Sequence, residues 1–252
     1  MLAFMLAVLL AAAPDPTRAA LQRVAERSDL ARGCSAGEIR SAVVRASIRR
    51  LGAVAGREAI LAQLEAPCLC GNVNCSWFVV RLDPDRPHLL LQTSAFSVQP
   101  IGPANPLPRL RERAHDNALI STEVIYAYRD GRYVPTDSWR VRGDTGARKP
   151  SSVPVHFAPG TSSARLRGSV STGWYDAYRF SAQRGQRLTI DAVRSRVPVR
   201  ATLFPPHDAA SLELRPGIPV TLPASGTFEL HIENDSSLGL PAVPYALKLS
   251  IR

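Results

Sequence analysis

Residues 176–190 read Asp176-Ala177-Tyr178-Arg179-Phe180-Ser181-Ala182-Gln183-Arg184-Gly185-Gln186-Arg187-Leu188-Thr189-Ile190. Tyr178 and Phe180 alternate with Arg179 and Ser181, and Leu188 alternates with Thr189 before Ile190. A period of two puts one set of side chains on one face of an extended strand. Gly185 supplies the turn between the two strands. The same alternation extends in both directions. Upstream it runs through Val153, Val155 and Phe157, then Leu166 and Val170. Downstream it runs through Val197, Val199, Ala201 and Leu203, then Ile218, Val220 and Leu222, then Phe228, Leu230 and Ile232, and closes on Tyr245, Leu247, Leu249 and Ile251. That makes eight short strands in residues 153–252, a pattern that predicts an all-β antiparallel sandwich with one face of each sheet buried.

The preceding part reads differently. Residues 18–31 and 36–65 carry apolar positions at helical spacing, with Ile39, Val43, Ile48, Leu51, Val54, Ile60, Leu61 and Leu64 in the second stretch and Gly52 and Gly56 interrupting it. Ser35 and Glu38 have capping-box spacing. Ser76–Leu82 and His88–Thr93 read as strands on either side of an Asp-Pro-Asp-Arg-Pro turn, and residues 100–108, with four prolines, read as a loop. Leu119–Tyr128 and Arg132–Val141 predict a hairpin across Asp130-Gly131. The polar stretch 144–152 reads as a linker. The organisation expected is therefore an α+β N-terminal module over 20–143, a linker over 144–152 and an all-β sandwich over 153–252.

Residues 1–13 (MLAFMLAVLLAAA) have the apolar core and small-residue end of a secretory signal, so 1–19 is assigned as a signal peptide without a fixed cleavage point. The run is too short to span a membrane, and no membrane span is expected after signal removal. The four cysteines, Cys34, Cys68, Cys70 and Cys75, agree with export to the periplasm or beyond, where disulfides persist. Cys70 with Cys75 would close a small loop through Gly71-Asn72-Val73-Asn74, leaving Cys34 for Cys68; Cys34–Cys70 with Cys68–Cys75 is the alternative. A CxC step with no adjacent histidine is a poor tetrahedral zinc set, so no metal is assigned.

The chain carries 31 Lys+Arg against 21 Asp+Glu, a net charge of +10, and only Lys149 and Lys248 are lysine. The excess is spread along the chain, without the basic stripe and interleaved aromatics of a nucleic-acid groove, and no nucleic-acid partner is expected. There is no GxSxG, HExxH or phosphate-loop motif. His115-Asp116, Asp83 with Asp85, and Asp130 with Asp137 fall at turns, where these residue types serve the backbone. His156, His207 and His231 are isolated. The expectation is no catalytic residue, no cofactor and no enzyme.

The sandwich motif continues in Leu222-Pro223-Ala224-Ser225-Gly226-Thr227-Phe228-x-Leu230 and in Tyr245-Ala246-Leu247-Lys248-Leu249. It resembles the bacterial pre-peptidase C-terminal type of β-sandwich. More closely it is similar to the periplasmic inhibitors of g-type lysozyme that share that architecture. The likeness includes Val155-His156-Phe157-x-Pro159-Gly160-x-Ser162-Ser163-Ala164 and Gly168, and covers about residues 153–252. It implies loops at one end of the sandwich that enter a lysozyme's substrate cleft, with Trp174, Tyr175 and Asp176 on one and Glu233, Asn234 and Asp235 on another. This second loop carries two acids where the inhibitors' loop is basic. The Cys70-Gly71-Asn72-x-Asn74-Cys75 loop and Tyr126-x-Tyr128-Arg129-Asp130-Gly131-x-Tyr133 resemble small exported bacterial modules of unassigned function. The function expected is a binding protein of the bacterial envelope whose sandwich engages a lysozyme-like muramidase or another envelope protein. The alternative is an adhesion or accessory module that binds glycan or a protein without inhibition.

Overall fold

The computed structural model describes residues 15–196, 198–206, 210–234 and 242–252, with residues 192–194 described through their backbone. The apolar run 1–13, Val197, His207 and Asp235 lie outside the described residues. The chain divides into two compact units, one of residues up to His115 with Glu123–Asp137, the other of Asp116–Thr122 with Ser138–Arg252.

In the first unit, α1 (Pro16–Ala25) starts at Asp15, whose carboxylate accepts the Thr17 N–H at 2.9 Å. The Arg18 guanidinium donates to the Val43 and Val44 carbonyls at the end of α2 (Ala36–Arg45). Residue 19, the end of the expected signal segment, therefore falls within α1. The capping box forms as the sequence predicts: the Ser35 hydroxyl accepts the Glu38 N–H, and the Glu38 carboxylate accepts the Ser35 N–H.

The helix expected over 36–65 stops at Arg45. The chain then enters β1 (Ser47–Val54) and β2 (Arg57–Leu64), an antiparallel pair reversing at Ala55-Gly56, both with positive φ. The physical reason lies in β2, whose Ala59, Ile60, Leu61, Ala62 and Leu64 are all buried. A strand buried on both faces has no alternation, and its continuous apolar run mimics a helix. β3 (Cys75–Arg81) and β4 (His88–Ala95) complete the sheet β1-β2-β3-β4. One face packs Ile60, Leu64, Phe78 and Val80 on Leu21, Val24, Ile39 and Val43 of the helices. The other packs Leu51, Leu61 and Val79 on Val98, Leu110 and Tyr133.

β5 (Ser97–Ile101), β6 (Arg109–His115), β7 (Ile120–Arg129), β8 (Arg132–Arg142) and β9 (Arg148–Pro150) form a five-stranded sheet in that order. The β7–β8 hairpin turns at Asp130-Gly131, both with positive φ, as a tight two-residue hairpin turn requires. The stretch 144–152, expected as a linker, contains β9, which pairs with β8 through Trp139 opposite Pro150 and Val141 opposite Arg148.

Two disulfides close Cys34 to Cys68 and Cys70 to Cys75, the first of the two pairings weighed from sequence.

The second unit holds the sandwich: β10 (Val153–Pro154), β11 (Ser163–Val170), β12 (Tyr175–Ala182), β13 (Arg187–Ser195), β14 (Val199–Phe204), β15 (Leu212–Leu214), β16 (Val220–Thr221), β17 (Gly226–Asn234) and β18 (Val243–Ile251). One sheet has order β10-β12-β17-β14-β15 and the other β11-β18-β13-β16. Tyr178, Phe180, Leu188, Ile190, Leu203, Phe228, Leu230, Ile232, Leu247 and Leu249 form the shared core, as the period of two predicts. The α+β module followed by an antiparallel sandwich is the observed fold class.

Candidate functional site

β12 and β17 run antiparallel with Tyr175 opposite Glu233 and Asp176 opposite Ile232. The two segments expected to bind a partner therefore meet at one end of one sheet. Because side chains alternate along a strand, Asp176 turns inward with Tyr178 and Phe180, while Tyr175 turns outward.

Asp176 is tied into the sandwich. Its Oδ1 accepts the Lys149 ammonium at 2.7 Å and its Oδ2 accepts the Tyr245 hydroxyl at 2.8 Å. The Tyr245 and Tyr178 hydroxyls lie 2.7 Å apart, and the Tyr178 hydroxyl donates to the Arg167 carbonyl at 3.0 Å. With only 15% of its side chain exposed, Asp176 serves as a clamp between the sheets. Burial pushes the Tyr245 phenol up, and the neighbouring Tyr178 hydroxyl and Asp176 charge push it further. Gly168 faces this cluster. A Cβ there would come within 2.2 Å of the Asp176 Oδ2 and 2.4 Å of the Tyr245 hydroxyl oxygen.

Trp174, expected as an exposed loop aromatic, is 4% exposed. Its backbone N–H donates to the Ser171 carbonyl at 3.0 Å, closing a turn, and the Lys149 ammonium sits 5.7 Å from the ring centroid. Withdrawing an indole removes on the order of 150–250 Å² from water, so the ring's own hydrophobicity opposes exposure. Its Nε1 is buried and, among the described residues, has no hydrogen-bond partner.

Tyr175 faces outward but is half-buried. The Arg140 guanidinium lies 3.8 Å from its ring centroid, and the His231 ring stacks on it with centroids 4.3 Å apart. Burial raises the Tyr175 phenol, and the Arg140 charge offsets this only in part. Phe204 of β14 packs against the same imidazole at 4.4 Å, and the His231 Nε2 lies 2.5 Å from the Glu229 Oε1. Arg200 pairs with Glu233 at 2.5 Å. Asn234 is half-buried at the end of β17. Tyr175, His231 and Phe204 thus form a continuous ring stack across the outer face of β12, β17 and β14, with Phe204 39% exposed and charged groups on its flanks.

Arg140, Lys149 and Phe204 were not picked out as site residues from the sequence, and His231 was read as isolated. Lys149 carried a signal, since it is one of two lysines in a chain otherwise reliant on arginine. Arg140 carried none, because burial at 2% exposure depends on packing between segments distant in sequence.

In the first unit, Asn74 of the Cys70–Cys75 loop exchanges two hydrogen bonds with the His115 backbone, at 3.1 and 3.0 Å. The second asparagine of the CGNxNC motif thereby docks the disulfide loop on the end of β6. Asp83 accepts from Arg81 at 2.8 Å and Asp137 from Arg109 at 3.2 Å. These carboxylates are engaged by neighbouring guanidinium groups.

No family model matches the chain, and no curated protein matches it. Among solved structures it is similar to Salmonella Typhimurium PliG, a periplasmic lysozyme inhibitor of g-type lysozyme, at 27% identity over 41% of this chain and 100% of that one, with a TM-score of 0.37. Aeromonas hydrophila PliG matches at 27% identity over 40% of this chain and 96% of that one, TM-score 0.37. A mutant of the Escherichia coli PliG matches at 26% identity over 40% and 97%, TM-score 0.36.

Proposed function

We propose that this chain is an exported, non-catalytic binding protein of the bacterial envelope whose C-terminal sandwich engages a protein partner, a lysozyme-like muramidase being the class implied by the residues of 153–252. The observation that carries the reading is the Tyr175–His231–Phe204 stack on the outer face of the sheet. Packed aromatic rings held on strands lose little freedom on binding, and such rings with arginine dominate interface energetics. The flanking Glu229, Glu233 and Arg200 supply the polar rim that interfaces carry. Two disulfides support export. The active surface in this reading is centred on Phe204, His231 and Tyr175, with Glu233 at its edge, while Asn234 falls on the alternate, inward face of β17. Trp174 and Asp176 hold that surface in shape from behind.

The test is a titration of the oxidised protein against g-type, chicken-type and invertebrate-type lysozymes, with lytic activity as the readout. Inhibition by the unmodified protein, weakened about thirtyfold or more by Phe204→Ala, is expected, since loss of a hot spot costs at least about 2 kcal/mol. Equal inhibition by Phe204→Ala with the fold intact would place the site elsewhere. The burial of Trp174 favours a second reading, an accessory module that binds envelope glycan or protein without inhibition. Absence of inhibition of every lysozyme at micromolar concentration, with retention of the protein on isolated envelopes, would select it.

A further inference from the structure

The positive charge that is spread evenly along the sequence is gathered by the fold. On β11, β18 and β13 the inward set includes Leu166, Leu188, Ile190, Leu247 and Leu249. The alternate positions face outward and include Arg165, Arg167, Lys248 and Arg187, all exposed, against one carboxylate, Asp191. Arg165 lies opposite Lys248 across β11–β18, and Lys248 lies opposite Asp191 across β18–β13. Residues opposite each other in a sheet are about 5 Å apart, and successive same-face residues along a strand about 7 Å. The four cations are therefore spread in two dimensions over three adjacent strands. Among the described residues none of them has a carboxylate within ion-pair distance. The outer face of the other sheet is balanced, with Arg179 opposite Glu229, Arg200 paired with Glu233, and Glu213 beside them on β15.

We infer that the outer face of β11-β18-β13 docks on an anionic phospholipid bilayer surface. A two-dimensional array of cations complements a plane of phosphates, whereas a rod-like polyanion calls for a line of charge. Among the described residues this face carries no aromatic side chain. It thus lacks the stacking platforms by which proteins grip single-stranded nucleic acid. Guanidinium forks match phosphate oxygens in pairs. Among the described residues the uncharged outward positions include Ser163, Ser169, Thr189, Pro244, Ala246 and Ser250, none of them long and apolar enough to insert. Attachment is therefore at headgroup level, reversible, and weakened by salt. The face is separate from the Tyr175–His231–Phe204 surface, so a partner and a bilayer are engaged by different residues.

The experiment is co-sedimentation of the full oxidised chain with vesicles of phosphatidylcholine, with and without phosphatidylglycerol, at low and at physiological ionic strength. Binding that requires phosphatidylglycerol and falls with salt is expected. Each neutralised cation should weaken it about fivefold, so Arg165→Gln, Arg167→Gln and Lys248→Gln combined should cost on the order of a hundredfold. The charge-retaining Arg165→Lys with Arg167→Lys should bind within a few-fold of the unmodified protein, and Arg179→Gln on the opposite sheet should bind unchanged. Binding indifferent to phosphatidylglycerol, or undiminished in the triple variant, overturns the inference. So does equal loss in Arg179→Gln, which would mean that net charge and not this face is responsible. Retention by soluble dextran sulfate without any vesicle binding also overturns it, in favour of a linear polyanion.

Discussion

The Asp176 carboxylate of one sheet accepts the Tyr245 hydroxyl of the other at 2.8 Å, in space left by the missing side chain of Gly168. Gly168 and Asp176, eight residues apart, and the distant Tyr245 thus form one contact between the layers. Gly168→Ala should be destabilising although its backbone needs no unusual φ, because the added carbon meets a carboxylate oxygen and a ring held by their own bonds. Overpacking of this kind costs typically about 1–3 kcal/mol. Urea denaturation of the full chain, followed by near-ultraviolet circular dichroism, measures it. A variant as stable as the parent would show that the clamp yields freely.

Lys149 extends the same network, and Arg140 of β8 covers Tyr175. Both precede residue 153. A fragment spanning 138–252 should therefore melt cooperatively and at a higher temperature than one spanning 153–252. Lys149→Met in the full chain should be destabilising, since it leaves Asp176 mostly buried and without its cation. Equal melting of the two fragments would mean that the strand Arg148–Pro150 adds nothing to the sandwich.

The two disulfides should differ in worth. Cys34–Cys68 spans 34 residues and Cys70–Cys75 spans 5. Loop-closure entropy assigns about 4 kcal/mol to the longer loop and about 2 kcal/mol to the shorter. Paired Cys→Ser replacements, compared by thermal melting, test the order. Reduction should lower the melting of the first unit and leave the cysteine-free sandwich unchanged.

Glu112 in β6 gives a pH signature. Burial raises its carboxyl above the ordinary range, and hydrogen bonds from Tyr126 and Thr93 only partly offset this. The folded state therefore holds the proton more tightly than the unfolded chain. Stability from this group is fully present below the unfolded carboxyl value and is lost as pH rises through the raised folded one. Glu112→Gln should remove that loss, so its melting temperature relative to the parent should rise between acid and neutral pH. A difference that stays flat across that range would contradict the assignment.

The sandwich was legible in the sequence because its strands are buried on one face only, so that Tyr178, Phe180, Leu188 and Ile190 alternate with polar residues. The capping box at Ser35 and Glu38 and the hairpin at Asp130-Gly131 were legible for a related reason. Each is decided by residues within a few positions of one another. β2 was misread as helix because helices cover one of its faces and a second sheet the other, and only packing reveals that.

For the candidate surface the division is sharper. By itself the sequence determined the strand alternation that follows Tyr175 and Asp176, the four cysteines that suit an oxidising compartment, and the excess of ten positive charges. Tertiary structure decided which of those residues face outward. It turned Trp174 and Asp176 into the protein, stacked Tyr175 on His231 from a strand more than fifty residues away, and gathered Arg165, Arg167, Arg187 and Lys248 on one sheet face. Alternation along a strand is a local property of the backbone. The partner of each face is set by sheet register and by the closing of one layer on another, which link residues that no local pattern connects.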